Sequence, residues 1–342
     1  MPCKRLARLA SAAVAAAALT GFAAAGASAA PTLQGAGSTL VAPLEAEWAT
    51  AWANQTGNPT PTYQAVGSGT GLKDIGAGLV DFGASDAPIS ASTSPCPGCF
   101  QIPWALSATG VSFNLPGVRR LHLTGQVLAA IYLGQITNWR DRRITSLNRG
   151  TRLPNLRITP VHRADGSGDS YAFTDYESSV SGAFRSRIGR ATKPSFPVGP
   201  GATGNSGMVT VEEGTSGSIA YVAVTYLIAH GLPAASIRNA AGNYEVPNLN
   251  NISSAASSVS HIPGNNELHI VNPSRRAKIA YPISTFTYAI LRPSDPLGNG
   301  GLVRSFIAYA LGSGQAFAPR LDFVPLPRNI KRAAQATLGR VH

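Results

Sequence analysis

Apolar residues along the chain fall into short runs whose spacing alternates between two periods. Leu44, Trp48 and Trp52 stand four residues apart, which predicts a helix over 42–52 with Pro43 accommodated in its first turn. Helical spacing returns over 72–80, weakened by Gly76 and Gly78, and over 123–132, 169–180, 223–230 and 302–311. Compact apolar runs predict strands over 61–66, 111–115, 158–162 and 218–222, with a β-rich run over 281–291. Strands separated by helices of this length predict an α/β fold with mostly parallel sheets. Residues 248–263 are unusually polar and helix-capable only in parts, and no internal repeat is evident.

The N-terminal run has a different character. Lys4, Arg5 and Arg8 precede an Ala-rich apolar stretch from Leu9 to Gly26, followed by Ala27-Ser28-Ala29-Ala30. That order of charge, apolar run and small residues predicts a signal peptide over 1–30 and an exported chain. A membrane anchor is the competing reading, but the run is short, Ala-rich and without flanking charge on its far side. Export changes the meaning of Cys96-Pro97-Gly98-Cys99. A cytosolic C-x-x-C suggests redox chemistry or half a zinc site, whereas an exported one predicts a small loop disulfide between Cys96 and Cys99. The six His are scattered with no i, i+4 pair, so no metal site is expected.

Composition then removes whole classes. Of 342 residues, 44% are hydrophobic and 13% charged, which excludes a disordered chain. The 36 Gly and 25 Pro exclude a coiled coil or helical repeat, and 3 Cys are too few for a disulfide scaffold. The net charge of +12 predicts an anionic partner. Without residues 1–30 the chain keeps 25 Lys+Arg against 16 Asp+Glu, or +9. The excess concentrates between Arg119 and Arg190, where 12 Arg stand against 5 acids. No zinc finger, basic zipper or RNA-recognition motif accompanies it, so no nucleic-acid partner is expected.

Candidate chemistry lies at helix starts. Gly35-Ala36-Gly37-Ser38-Thr39-Leu40, Gly67-Ser68-Gly69-Thr70-Gly71 and Asp165-Gly166-Ser167-Gly168-Asp169-Ser170 each precede a predicted helix. Each offers hydroxyls and backbone N–H groups where the helix dipole favours an anion. One such segment is explained by capping alone; three in an exported basic chain point to an oxyanion site. Arg163, at a strand end, supplies a fork of donors suited to a tetrahedral oxyanion, although a surface arginine is the ordinary alternative. Asp86 sits among small apolar neighbours that predict partial burial, and a buried carboxylate needs a donor. Protonated phosphate has one; fully ionised sulfate has none.

These segments occur in a recognisable order. Gly35-Ala36-Gly37-Ser38-Thr39, Gly67-Ser68-Gly69, Asp81-Phe82-Gly83-Ala84-Ser85-Asp86-Ala87-Pro88, Ile131-Tyr132-Leu133-Gly134-Gln135-Ile136-Thr137-Asn138-Trp139, Arg163-Ala164-Asp165-Gly166-Ser167-Gly168 and Gly217-Ser218-Ile219-Ala220-Tyr221-Val222 together resemble the PstS family, phosphate receptors of ABC importers. The resemblance runs from Leu33 to Pro327. It implies a two-lobed periplasmic-binding-protein fold of type II, each lobe a mixed, mostly parallel sheet flanked by helices. Lobe I would comprise 31–108 and return over 283–342; lobe II would comprise 109–282. The hinge would lie at the two crossings, and closure would bury the ligand.

Carried over by position, Thr39 and the Leu40 N–H would bind phosphate oxygens, Ser68 would donate, and Asp86 would accept the phosphate proton. Arg163, held by Asp165, would pair with the dianion, and Ser167 with the Gly168 backbone would complete the shell. Leu40 replaces an aromatic common in the family, which matters little for a backbone contact. Asp169 stands where Thr is frequent. Either its side chain points away and only its N–H contributes, or it accepts a further phosphate proton. The implied partners are inorganic phosphate and the permease subunits of an importer, with no cofactor and a monomeric receptor.

Enzyme readings find little support. The chain has no G-x-S-x-G elbow and no G-x-x-x-x-G-K-[ST] loop. Its G-x-G-x-x-G match, Gly199 to Gly204, follows no convincing strand and precedes no clear helix, and reads as a loop. A secreted phosphoester-processing enzyme using the same anion pocket is the remaining alternative; it would need an activated nucleophile or paired metals.

Overall fold

The computed structural model describes residues 31–89 and 95–342, so the leader expected over 1–30 lies outside the described residues. The chain enters as β1 (Gln34–Gly37) and turns into α1 (Ala42–Thr56), which buries Leu44, Trp48 and Trp52 as their spacing requires. It continues through β2 (Thr62–Gln64), α2 (Ser68–Ala77), β3 (Phe82–Ser85) and the long β4 (Phe100–Phe113). Before β4, Cys96 and Cys99 are joined by a disulfide, with Cα atoms 5.5 Å apart.

The middle of the chain forms β5 (His122–Leu123), α3 (Gly125–Tyr132), α4 (Arg142–Thr145), β6 (Thr159–Arg163), α5 (Gly168–Val180) and α6 (Gly182–Arg187). Then follow β7 (Gly201–Ala202), α7 (Gly204–Glu213), β8 (Ser218–Ala223), α8 (Val224–Ala229), β9 (Ser236–Arg238), β10 (Tyr244–Glu245) and α9 (Leu249–Ala256). The return segment is β11 (Ser284–Leu291), α10 (Gly300–Leu311), a 3-10 turn over Ser313–Leu321 and α11 (Arg328–Leu338).

Eight strands form one sheet in the order β2-β1-β3-β11-β4-β8-β6-β7. It is parallel at both ends and antiparallel at its centre. The centre is where the expectation of mostly parallel pairing gives way. β4 pairs antiparallel with β11 from Phe100 to Ala108, then changes partner and pairs with β8 from Thr109 to Phe113. Trp104 is the extra residue of a bulge there, with Thr287 opposite Ala105 and Tyr288 opposite Pro103. The bulge accommodates Pro103, which has no N–H for the ladder. That proline also masked the first half of β4 in the apolar pattern.

Two aromatic groups flank this crossover. Trp48 packs on Trp104 at 5.2 Å between ring centroids, and Phe82 on Phe306 at 5.5 Å. On the other side Phe173 stacks on Tyr221 at 4.5 Å and meets Tyr132 at 4.8 Å. Trp139 donates its indole N–H to the Gly217 carbonyl at 2.9 Å, so the segments around Ile131–Trp139 and Gly217–Val222 are one packing unit.

Several elements differ from the sequence pattern. β1, and β3 after Phe82, are built mostly from small residues that carry no periodic apolar signal. α2 begins at Ser68, four residues before the periodic run. The G-x-G-x-x-G segment is not a loop: Gly201–Ala202 pairs parallel with β6, and Gly204 opens α7. The helix is rich in Gly, Thr and Val and has little intrinsic propensity; burial of Met208 and Val209 holds it.

Candidate functional site

The ends of β1, β3 and β6 and the starts of α2, α5 and α7 converge on one buried polar cluster. Gly67 (φ 88°) lets the chain turn into α2 beside the Asp165 carboxylate and the Gly166 carbonyl, where a side chain has no room. Gly168 similarly admits the Asp86 side chain, which a Cβ there would strike. The α2 and α5 starts are joined directly, with the Gly69 N–H donating to the Gly166 carbonyl at 3.0 Å.

Arg163 lies at the centre and is 2% exposed, far from the surface arginine that remained possible from sequence. Its Nε donates to Asp165 Oδ1 at 2.7 Å and its Nη2 to Asp165 Oδ2, a two-point pairing. Its Nη1 reaches Thr39 Oγ1 and Asp169 Oδ2, each at 3.3 Å. Its backbone N–H donates to the Tyr221 hydroxyl at 2.9 Å, and that hydroxyl meets Ser170 Oγ at 2.8 Å. Burial acts to raise the Asp165 pKa, but the Arg163 hydrogen bonds and charge hold it below the ordinary carboxylate value.

Asp86 is fully buried at the end of β3, and both of its oxygens lie 2.6 Å from Ser38 Oγ. Burial, and then the charge of Asp169, push its pKa up to about 7, against the lowering effect of Ser38 and Arg163. Ser68 Oγ accepts the Asp86 N–H at 3.3 Å and the Gly168 N–H at 3.2 Å, which leaves its own proton to donate. Ser167 caps α5 by accepting the Ser170 N–H at 3.3 Å. The Leu40 N–H goes to Ser38 Oγ at 3.0 Å. The two backbone donors assigned to phosphate by resemblance, Leu40 and Gly168, thus both rest on serine hydroxyls in this structure.

Asp169 does not point away. Its side chain is buried, with Oδ1 accepting from Thr109 Oγ1 at 2.8 Å and Oδ2 from Asn205 Nδ2 at 2.8 Å as well as from Arg163. Burial raises its pKa, and Arg163, Thr109 and Asn205 counter the rise. Thr39 Oγ1 shares the same donors, accepting from Asn205 Nδ2 at 2.9 Å. The cluster therefore holds Thr39, Ser68, Asp86, Arg163, Asp165, Ser167, Gly168 and Asp169 together.

Four members escaped the sequence reading. Ser38 and Tyr221 lie inside quoted segments, but nothing in the spacing shows that one faces Asp86 and the other Arg163. Asn205 follows the glycine motif read as a loop, and α7 aims it inward. Its Oδ1 accepts the Ala223 N–H at 2.8 Å, fixing the amide. Thr109, in mid-strand, carries no signal at all. Tyr221→Phe is expected to leave the Arg163 N–H without its partner and to weaken anion binding about five- to tenfold, on the order of 1 kcal/mol, with the fold retained by circular dichroism. An unchanged affinity would remove Tyr221 from the positioning of Arg163.

A family model described as "PBP superfamily domain" matches residues 23–313. The chain is 32% identical over 307 residues to the phosphate-binding protein PstS of Xylella fastidiosa strain 9a5c, covering 89% of this chain and 84% of that one. It is 33% identical over 310 residues to the PstS of Pasteurella multocida strain Pm70, covering 90% of each. Among solved structures, a phosphate-binding protein from Stenotrophomonas maltophilia superposes with a TM-score of 0.67 at 20% identity, covering 90% of this chain and 94% of that one. A putative phosphate ABC transporter substrate-binding protein from Clostridium perfringens, with bound phosphate, gives 0.64 at 18% identity, covering 87% and 100%. The fold is thus the two-lobed periplasmic-binding-protein fold of type II, and the chain belongs to the PBP superfamily and, within it, to the PstS family.

Proposed function

We propose that this protein is an extracytoplasmic receptor that binds inorganic phosphate in the inter-lobe cleft and delivers it to an ABC-type importer. The observation that carries this reading is the presence of a buried guanidinium, Arg163, and a buried carboxylate, Asp86, in one polar cluster. The first supplies charge to an oxyanion; the second accepts a proton that phosphate has and sulfate lacks. Thr39, Ser68 and Ser167 would add hydroxyl donors, and Asp165 would hold the guanidinium. The Leu40 and Gly168 N–H groups would turn from serine hydroxyls to phosphate oxygens. Asp169 is the part of the shell that the family pattern does not supply.

The lobes would be 31–108 with 283–342, and 109–282. The change of partner along β4 between Ala108 and Thr109, with β11 starting at Ser284, supports that division. The receptor would work as a monomer outside the cytoplasm and hand phosphate to permease subunits. Among the described residues no helix is long and apolar enough to cross a membrane.

One contact favours the enzymatic alternative: the Ser38 hydroxyl donates to Asp86, as a nucleophile would to its base. Purified protein is the test. The receptor reading expects retention of phosphate in equilibrium dialysis and no release of phosphate from a phosphomonoester. Turnover that disappears in Asp86→Ala and Arg163→Ala would establish the enzyme instead.

A further inference from the structure

The buried cluster holds more negative charge than a site for a dianion should. Arg163 is met by Asp165 through two hydrogen bonds and again by Asp169 through Nη1. Asp86 belongs to the same buried cluster, packed against Gly168 and close enough for Asp169 to act on it electrostatically. The other titratable groups facing these carboxylates are phenols. Tyr221 and Tyr226 feel both Asp169 and Arg163, and Tyr63 feels Glu45 and Asp86. Arg163 is the only cation among these groups. With the three aspartates ionised, the cluster carries two net negative charges before any ligand enters, in a setting where unpaired charge is costly.

Asp169 is also built in. Thr109, Asn205 and Arg163 all donate to it, and Asn205 is itself fixed by the Ala223 N–H. It shares two donors, Arg163 Nη1 and Asn205 Nδ2, with Thr39 Oγ1. An oxyanion seated between Thr39 and Arg163 would therefore lie beside a carboxylate oxygen. The contact is attractive only if the oxyanion oxygen carries a proton to donate.

We infer that Asp169 makes this receptor select phosphate carrying two protons, the dihydrogen monoanion, with one P–OH donating to Asp86 and the second to Asp169. Hydrogen phosphate binds only together with a proton from solvent. The inference rests on the phosphate reading above and specifies the form of phosphate taken. Its sign follows from counting protons. The complex holds two protons among phosphate, Asp86 and Asp169. Where both carboxylates and free phosphate are deprotonated, the reactants bring one. Binding in that range takes up a proton and weakens as pH rises, approaching tenfold per pH unit. Replacing Asp169 with the neutral Thr removes the need for the second proton, and binding in the same range becomes flat.

The test is phosphate titration calorimetry from pH 7 to 9.5 on the wild type, Asp169→Thr and Asp169→Asn, in buffers of different ionisation enthalpy. The wild type is expected to lose affinity toward the alkaline end with uptake approaching one proton per phosphate. Both variants should bind without uptake and more tightly than wild type at the alkaline end. Asn keeps the size of the side chain and an oxygen for Arg163, so it controls for misfolding of the Thr variant. A pH-independent wild-type affinity, or variants that retain the alkaline decline, overturns the inference while leaving phosphate binding intact. Absence of phosphate binding at every pH overturns the phosphate reading itself.

Discussion

Arg163→Ala is expected to abolish measurable phosphate binding. The guanidinium is the cation of the cluster, and its removal leaves the half-buried Asp165 and the buried Asp169 facing the incoming anion. Breaking a buried pair by removing one partner costs about 3–5 kcal/mol, and here the ligand loses its counter-charge in addition. A fall in affinity of at least about a thousandfold is therefore expected. The same change should lower the melting temperature, because two carboxylates lose their charged donor and keep only neutral ones, Gly204 for Asp165 and Thr109 with Asn205 for Asp169. Arg163→Lys separates the effects. It keeps the charge, loses the two-point geometry toward Asp165, and should bind about ten- to a hundredfold more weakly, a loss of roughly 1.4 to 2.8 kcal/mol. Affinity in Arg163→Ala within tenfold of wild type would place the anion elsewhere.

Asp86→Asn should change selectivity more than stability. In the wild type a sulfate dianion would meet the Asp86 carboxylate with no proton between them. A site built to hydrogen-bond one ligand group rejects an analogue lacking it by roughly 10⁴-fold or more. Asn offers an N–H where Asp86 offers only lone pairs, so sulfate should gain at least about a hundredfold. Phosphate should weaken, because its P–OH loses a charged acceptor. Ser38, which donates to both Asp86 oxygens, can still donate to the amide oxygen, so the fold should hold. Competition of sulfate against labelled phosphate reads both effects; sulfate exclusion equal to wild type would take the discriminating role away from Asp86.

The residues that carry these predictions were visible in the sequence to unequal degrees. Arg163 and Asp86 stood out because a guanidinium at a strand end and a carboxylate among Gly and Ala are unusual local choices. Thr39, Ser68 and Ser167 were found because turn chemistry before a helix is local and legible. The helices that bury Trp48 and Phe173 announced themselves through apolar spacing.

What escaped was set by tertiary structure. β1, and β3 after Phe82, are made mostly of small residues because α2 packs close upon them, and small residues give no periodic signal. Asn205 is aimed by a helix that exists through burial rather than propensity. Thr109 enters the cluster only because β4 changes partner at that residue, an event no local pattern records. The orientation of Asp169 was undecidable for the same reason, since its donors Thr109 and Asn205 lie 60 and 36 positions away. A chain of net charge +12 places one arginine and three aspartates at its candidate site, so bulk charge would attract an anion and the local groups would select it.

The most direct test of the central claim is calorimetric titration of the purified chain, without residues 1–30, with inorganic phosphate at neutral pH and sulfate as the comparison. The account predicts one phosphate per chain, bound at micromolar ligand or tighter, with no heat from sulfate. No phosphate binding at micromolar ligand, or sulfate binding as tightly as phosphate, would contradict it.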